Sequence, residues 1–293
     1  MGEAARGHLA MLLFSGLVGG SFALGVRIAN LIDPAALTAV RFAIAATVIG
    51  AAAALSGALR GGGWVRAPWR YGVLGGLLCV YFVLMFEGLK TADPVSAAAV
   101  FTLTPLMAAG FDRIVAGRRS RWPLLAALAV GGAGALWVIF DGDVEALLAL
   151  QIGRGEAIYA VGCIAHAAYV PVVRRLNRGE PAASFTFGTL LGGTALLAVY
   201  AAPDLAATAW TALGPEVWAV ILYLALFASA ATFVLLQYAS LRLPAANVMA
   251  YTYLTPSFVL VWQVGLSGVW PDPRIMGGIL LTAIALFLLL KQS

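Results

Sequence analysis

Apolar runs long enough to cross a lipid bilayer follow one another through almost the whole sequence. A transmembrane helix needs about 17 to 25 mostly apolar residues. Hydrophobic residues make up 62% of the chain, charged residues only 11%, and the mean hydropathy is +0.95, which excludes an ordinary soluble surface. The connections leave no room for a soluble domain. The sequence therefore predicts an all-α integral membrane protein with ten transmembrane helices, at about 9–29, 34–56, 71–90, 94–116, 122–140, 157–175, 181–202, 215–240, 244–267 and 273–290.

The lysine and arginine residues predict the topology. Of the 18 in the chain, thirteen fall on the side that receives the N-terminus, including Arg118, Arg119 and Arg121. Positive residues concentrate in short cytoplasmic loops, so both termini are expected in the cytoplasm. The net charge of +5 then follows topology and does not indicate nucleic-acid binding. The opposite side receives four of these residues: Arg27, Lys90, Arg154 and Arg274.

Repeated prolines indicate that the chain is duplicated. The segment Leu103-Thr104-Pro105 is matched 151 residues later by Leu254-Thr255-Pro256. Residues 1–150 and 151–293 are therefore expected to be two five-helix repeats. Because five crossings is an odd number, the second repeat is inverted relative to the first, which is an arrangement of secondary transporters. Two further pairs of prolines, each 150 residues apart, are Pro94 with Pro244 and Pro123 with Pro273.

Pro105 and Pro256 are predicted to break their helices near the middle of the membrane. Each lies about 16 to 18 Å into its helix at about 1.5 Å per residue, close to the midplane of a core about 30 Å thick. A proline inside a helix removes a backbone hydrogen bond, so the carbonyls of Phe101 and Thr252 are expected to be freed. Such carbonyls must face protein or a wet cavity. Two breaks at equal depth favour a central transport site over simple packing kinks.

Aromatic and hydroxyl side chains lie around these two breaks. Thr104 and Thr255 directly precede the prolines, and in a simple packing kink their hydroxyls would bond the backbone. Tyr81, Phe101 and Tyr253 are the aromatic candidates. Aromatic stripes are usually packing, but an apolar wall with a few polar groups also suits a small amphipathic ligand, and a tyrosine face can take up an ammonium group. We treat these five residues as candidate substrate-binding residues.

Arg41 and His166 are the two polar residues placed deepest in predicted spans. Arg41 lies about 10 Å from the outer end of its helix. An arginine at the centre of a membrane helix costs about 2.5 to 3.5 kcal/mol, so Arg41 either faces the interior as a gate or substrate contact, or snorkels to helix-end carbonyls. His166 lies midway along the sixth run, seven residues after Tyr159. It could bind substrate, titrate, or be a satisfied core histidine.

Several kinds of chemistry have no support in the sequence. No carboxylate lies near a predicted midplane, so a carboxylate proton relay is not favoured. There is no phosphate-cradling GxxxxGK[ST] motif, metal-ligand cluster or nucleophile triad, so neither an ATP-driven pump nor an enzyme is favoured, and no cofactor or metal is expected. Cys79 and Cys163 lie in apolar runs, which argues against a disulfide framework.

The ordered set of these features resembles the drug/metabolite transporter superfamily with its EamA-type repeats. Besides the two L-T-P segments, Ala39-Val40-Arg41-Phe42 resembles the family's arginine-containing second helix, and Ala167-Ala168-Tyr169 resembles the end of its sixth. The chain is most similar to bacterial exporters of aromatic and other apolar amino acids. This resemblance implies a central cavity that uses Tyr81, Thr104 and His166.

The sequence departs from that pattern at two positions. The family often has tryptophan in helix 1, where this chain has Val18-Gly19-Gly20-Ser21-Phe22, and in helix 6, where it has His166. The resemblance implies less about the substrate at these positions. The small multidrug-resistance branch relies on a glutamate in helix 1, and Leu9 to Val26 contains none.

The resulting hypothesis is a secondary transporter in the cytoplasmic (inner) membrane of a prokaryote. It would export aromatic or apolar amino acids, or related small amphipathic metabolites, by alternating access at a midplane cavity. Pro105 and Pro256 would mark its deformable walls. The alternatives are an exporter of lipophilic cationic drugs and, from other classes, a passive channel or a membrane-embedded enzyme. The expected partners are a small-molecule substrate and the lipid bilayer, and the oligomeric state is left open.

Overall fold

The protein is built from helices throughout. A computed structural model describes residues 2–60, 65–116, 122–149, 151–240, 242–243 and 245–291, among which no β-strand occurs, and 84% of the chain is helical. Short 3-10 helices cover Trp210–Ala212, Tyr251–Leu254 and Pro273–Ile275, and a π-helix covers Leu226–Ala231. The α-helices are α1 (Glu3–Ile28), α2 (Pro34–Leu55), α3 (Trp69–Leu89), α4 (Pro94–Thr102), α5 (Thr104–Ala116), α6 (Trp122–Ile139), α7 (Val144–Leu148), α8 (Arg154–Leu176), α9 (Ala182–Tyr200), α10 (Ala202–Ala207), α11 (Pro215–Ala225), α12 (Thr232–Ser240), α13 (Ala245–Ala250), α14 (Thr255–Ser267) and α15 (Met276–Lys291).

Nine helical segments within the described residues are long and apolar enough to cross a membrane, so the chain is a multi-pass membrane protein. The remaining predicted span, 244–267, is helical from 245 onwards but is divided into α13, a 3-10 turn and α14. A total of ten crossings therefore stays a prediction. Pro244, Arg118, Arg119 and Arg121 lie outside the described residues, so the structure adds nothing on the sequence arguments that used them.

Asp-Pro pairs start three of the segments. Asp33 accepts hydrogen bonds from two N–H groups in the first turn of α2, at 2.8 and 3.1 Å. Asp93 does the same for α4, and Asp272 caps the turn before α15. The carboxylate satisfies N–H groups that have no partner inside the helix, and the proline that follows has no N–H to satisfy. These pairs fix where the second, fourth and last segments begin.

The main helix contacts join the N-terminal half of the chain to the C-terminal half. The helix α3 packs along α8 and α9, α2 packs on α9, α6 packs on α15, and α1 packs on α12 and α14. Small residues allow helices to approach closely in lipid, where no hydrophobic driving force brings them together. Three crossings bring backbone against backbone at one glycine from each side: Gly88 on Gly155, Gly75 on Gly193, and Gly134 on Gly278.

Gly88→Ala is expected to destabilise the protein, because a Cβ atom there would lie 2.6 Å from the Gly155 carbonyl oxygen and 3.0 Å from the Cβ of Tyr159. Overpacking of this kind costs about 1 to 3 kcal/mol. Gly72 is the matched control, since it lies in the same helix and a Cβ there has nothing within 4 Å. Thermal unfolding in detergent would measure both variants. Equal stability of Gly88→Ala and Gly72→Ala would contradict the tight crossing.

Candidate functional site

The helix break in the fourth span lies next to Pro105. The helix α4 ends at Thr102 and α5 starts at Thr104, which leaves Leu103 between them. The Leu103 N–H donates to the Val100 carbonyl at 3.1 Å, as in a tightened final turn. Pro105 is the second residue of α5, where its missing N–H costs no helical hydrogen bond.

The ninth predicted span changes its helix type beside Pro256. A 3-10 turn over Tyr251–Leu254 leads into α14, in which Pro256 is the second residue. The Thr252 carbonyl accepts a hydrogen bond from the Thr255 N–H. The sequence-based expectation that this carbonyl is free is therefore wrong, because the 3-10 turn supplies a donor three residues on.

The hydroxyls of Thr104 and Thr255 do not bond the backbone. Both residues are completely buried, and neither Oγ1 atom has a standard hydrogen-bond partner among the described residues. Thr102, by contrast, donates to the Ala99 carbonyl at 2.7 Å. The Cys163 thiol lies beside Thr104 and is a weak hydrogen-bonding group. Each helix break thus contains a buried threonine hydroxyl whose hydrogen-bonding capacity is unused.

A cavity of about 130 Å³ lies inside the bundle, between residues of both halves. Its walls are mostly apolar, and no carboxylate is among the described residues that line it. Of the sequence candidates, Arg41, Tyr81, Phe101 and His166 line this cavity. The other lining residues are Met11, Phe14, Val18, Ser21, Leu78, Phe82, Tyr169, Ala228, Thr232, Phe233, Leu236, Val248, Met249 and Thr252. Thr104, Thr255, Tyr253, Pro105 and Pro256 are not part of its wall.

Aromatic rings form one side of the cavity. The ring centroids of Tyr81 and His166 are 4.5 Å apart, and those of Phe101 and His166 are 5.5 Å apart in an edge-on arrangement. The hydroxyls of Tyr81 and Tyr159 are hydrogen bonded at 2.9 Å, which fixes the Tyr81 ring. The Nδ1 atom of His166 is buried without a hydrogen-bond partner among the described residues. The aromatic wall therefore presents a polar nitrogen that the protein leaves unused.

Arg41 points into the bundle and does not snorkel. It is 1% exposed, its Nε donates to Ser229 Oγ at 2.8 Å, and its Nη2 donates to the Ala228 carbonyl at 3.1 Å. The guanidinium carbon lies 4.0 Å from the centroid of the Phe82 ring, a cation–π contact. Its Nη1 has no partner, and no described carboxylate pairs with the charge. The cavity wall therefore contains a cation without a counter-ion.

The π-helix over Leu226–Ala231 supplies both hydrogen-bond acceptors of Arg41. Ser229 and Ala228 lie within it, and the Ser229 hydroxyl also donates to the Leu224 carbonyl at 2.9 Å. Short π-helical turns often mark functional sites. Sequence reasoning missed Ser229 and Ala228. The available signal was a serine between small residues within an apolar run, which does not distinguish such a turn from ordinary helix packing.

Tyr253 packs away from the cavity. Its hydroxyl donates to the Leu128 carbonyl at 3.3 Å, and its ring covers Gly131 on α6. The absence of a side chain at Gly131 leaves the space that the ring occupies. Tyr253 thus contacts α6 and not the aromatic wall.

Secondary transporters typically have broken helices and a buried cavity whose walls come from both halves of the chain. The sequence model of the EamA-like transporter family matches residues 5–140 and again residues 153–291. The chain belongs to this family, within the drug/metabolite transporter superfamily.

The chain is similar to a curated relative and to a solved structure. The "Uncharacterized transporter YyaM" of Bacillus subtilis (strain 168) is 27% identical over 194 residues, which span 66% of this chain and 64% of that protein. A protein of known crystal structure superposes with a TM-score of 0.70 at 23% identity, covering 98% of this chain and 95% of the other. At that identity the structural likeness concerns the fold alone.

Proposed function

We propose that this transporter exports amino acids with aromatic or apolar side chains, or related small amphipathic metabolites, across the cytoplasmic membrane. The observation that carries the proposal is the combination of the unpaired Arg41 guanidinium with an aromatic wall around one cavity. The Arg41 Nη1 would receive the substrate carboxylate in a charge-assisted hydrogen bond. Tyr81 and Phe101 would contact the apolar side chain, and the His166 Nδ1 would supply a further polar contact.

The cavity favours such a substrate over a lipophilic cationic drug. A cation brought beside Arg41 would meet a like charge in a medium of low dielectric constant. The volume of about 130 Å³ is also well below the roughly 300 to 1,000 Å³ of typical drug-sized sites. Both observations support a small anionic or zwitterionic solute.

Transport would proceed by alternating access. Residues 1–150 and 151–293 would act as two inverted five-helix halves that rock against one another, with both termini in the cytoplasm. The breaks beside Pro105 and Pro256 would let the cavity widen, because neither segment is held by a continuous α-helical hydrogen-bond ladder. Thr104 and Thr255 would then bring their unused hydroxyls to the widened cavity.

Counterflow in proteoliposomes would test this function. Vesicles loaded with unlabelled phenylalanine should accumulate labelled phenylalanine with saturation and without an ion gradient. Tyr81→Ala and His166→Ala should each raise the half-saturating concentration about five- to tenfold through lost ring contacts. Tyr200→Ala is the matched control, since Tyr200 lies at the end of α9 and is 73% exposed.

Three outcomes would count against the proposal. Exchange of a quaternary ammonium compound alone would place the protein among drug exporters. Flux that neither saturates nor shows counterflow would indicate a channel. Unchanged kinetics in both folded cavity variants would show that the site lies elsewhere.

A further inference from the structure

A second pocket, of about 500 Å³, lies at the ends of α2, α3 and α9, away from the central cavity. Its described lining residues come from the connection between α2 and α3 and the first turn of α3, and from the connection between α8 and α9 and the first turn of α9. We propose that this pocket binds the phosphate headgroup of an anionic phospholipid. The described residues that line it are Gly57, Ala58, Arg60, Arg66, Arg70, Arg178, Gly179, Glu180, Pro181 and Ser184.

Arg70 and Glu180 form the floor of the pocket. Arg70 Nη2 and Glu180 Oε1 are 2.6 Å apart, and the two side chains are only 1% and 7% exposed. Arg70 also donates to the carbonyls of Ala67 and Leu176. Its donors and its charge are therefore already used by the protein, and the ligand must be held by the other arginines.

Arg60, Arg66 and Arg178 are exposed around the pocket, and none of their guanidinium groups makes a hydrogen bond or ion pair with another described residue. Since Arg70 is neutralised by Glu180, the pocket keeps three uncompensated positive charges. Like charges gathered in one concave site repel one another and raise the local concentration of anions. The planar guanidinium fork matches phosphate oxygens in a bidentate manner, so a phosphate suits this set.

The first turn of α9 adds to this attraction. Pro181 is the residue before the helix, and no side chain caps the first N–H groups. Unsatisfied N–H groups at a helix N-terminus favour an anion.

The position of the pocket favours a lipid over a soluble phosphate. Leu55, the last residue of α2, is 89% exposed, and Trp69, the first residue of α3, is 58% exposed. Arg60 and Arg66 lie between these apolar positions in the chain. Exposed tryptophan is enriched where the hydrocarbon core meets water, so the arginines are at headgroup depth. The arginine distribution predicts that this side is cytoplasmic, where anionic lipids occur and basic pockets between helices bind their headgroups.

A titration followed by native mass spectrometry would test the site. The full-length protein in an uncharged detergent would be mixed with short-chain phosphatidylglycerol, phosphatidylcholine or inorganic phosphate. Wild type should bind one phosphatidylglycerol more tightly than phosphatidylcholine. Arg60→Gln and Arg178→Gln, one in each loop, should each weaken phosphatidylglycerol binding about fivefold, from about 1 kcal/mol per arginine. Unchanged thermal unfolding would show that the variants remain folded.

The matched control is the double variant Arg27→Gln/Arg154→Gln, which removes two exposed arginines from the opposite side. It should leave phosphatidylglycerol binding unchanged. If the control lost as much phosphatidylglycerol affinity as Arg60→Gln and Arg178→Gln, the lipid would be attracted by surface charge in general and not by this pocket. Binding of inorganic phosphate as tight as that of the lipid would identify a soluble-anion site, and equal binding of the two lipids would exclude a headgroup-charge site. Each of these three results would overturn the proposal.

Discussion

Arg41→Gln is expected to abolish the preference for substrates that carry a carboxylate. The Arg41 Nη1 is the buried donor on the cavity wall that would receive this group under the proposed function. A hydrogen bond to a charged group contributes about 1.5 to 3 kcal/mol, so the half-saturating concentration of phenylalanine in counterflow should rise about 10- to 100-fold. Exchange of phenethylamine, which has the same ring and ammonium group but no carboxylate, should not fall.

Ser229→Ala and Arg41→Lys test separately whether phenylalanine exchange depends on the charge of Arg41 or on how its guanidinium group is held. Ser229→Ala removes one hydrogen bond of the guanidinium at 2.8 Å but keeps the charge and the Nη1 group. The loss of one hydrogen bond costs about 1 kcal/mol, so the half-saturating concentration of phenylalanine should rise only a few-fold. Arg41→Lys keeps the positive charge but loses the planar guanidinium. Its half-saturating concentration of phenylalanine should therefore lie between those of Ser229→Ala and Arg41→Gln. If Arg41→Gln lowered exchange of phenylalanine and phenethylamine equally in folded protein, Arg41 would be structural and the carboxylate contact would be refuted.

Much of the fold could be predicted because apolar length and helix-start signals are local. The Asp-Pro pairs at Asp33 and Asp93 contain both the cap and the first helical residue, so the starts of α2 and α4 follow from adjacent letters. The π-helix over Leu226–Ala231 could not be predicted in this way. Its Ser229 hydroxyl and Ala228 carbonyl accept hydrogen bonds from Arg41, which lies far away in the sequence, so no local pattern predicts that contact.

For the residues around the cavity, the sequence indicates residue types but not which neighbouring helix each side chain meets. Helical spacing shows which residues share a face of one helix, but not which neighbour that face meets. Tyr81 and Phe101 meet His166 at the cavity, as the spacing allowed. Tyr253 turns instead to α6, because Gly131 leaves room for its ring there. The decisive residue in that case is a glycine on another helix, which the sequence alone marks only as a small packing residue.

Glu180→Gln is expected to lower the free energy of unfolding by about 3 kcal/mol at neutral pH, because it leaves the buried Arg70 charge without its partner. The loss should depend on pH. Burial alone would raise the pKa of Glu180, but hydrogen bonds from Arg70 and from the Arg178 N–H, together with the Arg70 charge, hold that pKa below its ordinary value of 4.5. A carboxyl group with a lowered pKa stabilises the folded state above its unfolded pKa and loses this effect as the pH falls through the folded pKa.

The stability advantage of wild type over Glu180→Gln should therefore be constant near neutral pH, begin to shrink as the pH approaches 4.5, and go on shrinking below that. Unfolding in an uncharged detergent measures this without bound anionic lipid. Glu87→Gln is the matched control: Glu87 Oε2 lies 2.6 Å from Lys90 Nζ, but these side chains are 37% and 29% exposed. A surface pair contributes about 0 to 1 kcal/mol, so the same substitution at the same distance should cost far less. An equal loss of stability in Glu180→Gln and Glu87→Gln would mean that the burial of Arg70 does not strengthen its ion pair with Glu180. Arg70 would then be held at the floor of the second pocket by its hydrogen bonds to backbone carbonyls alone.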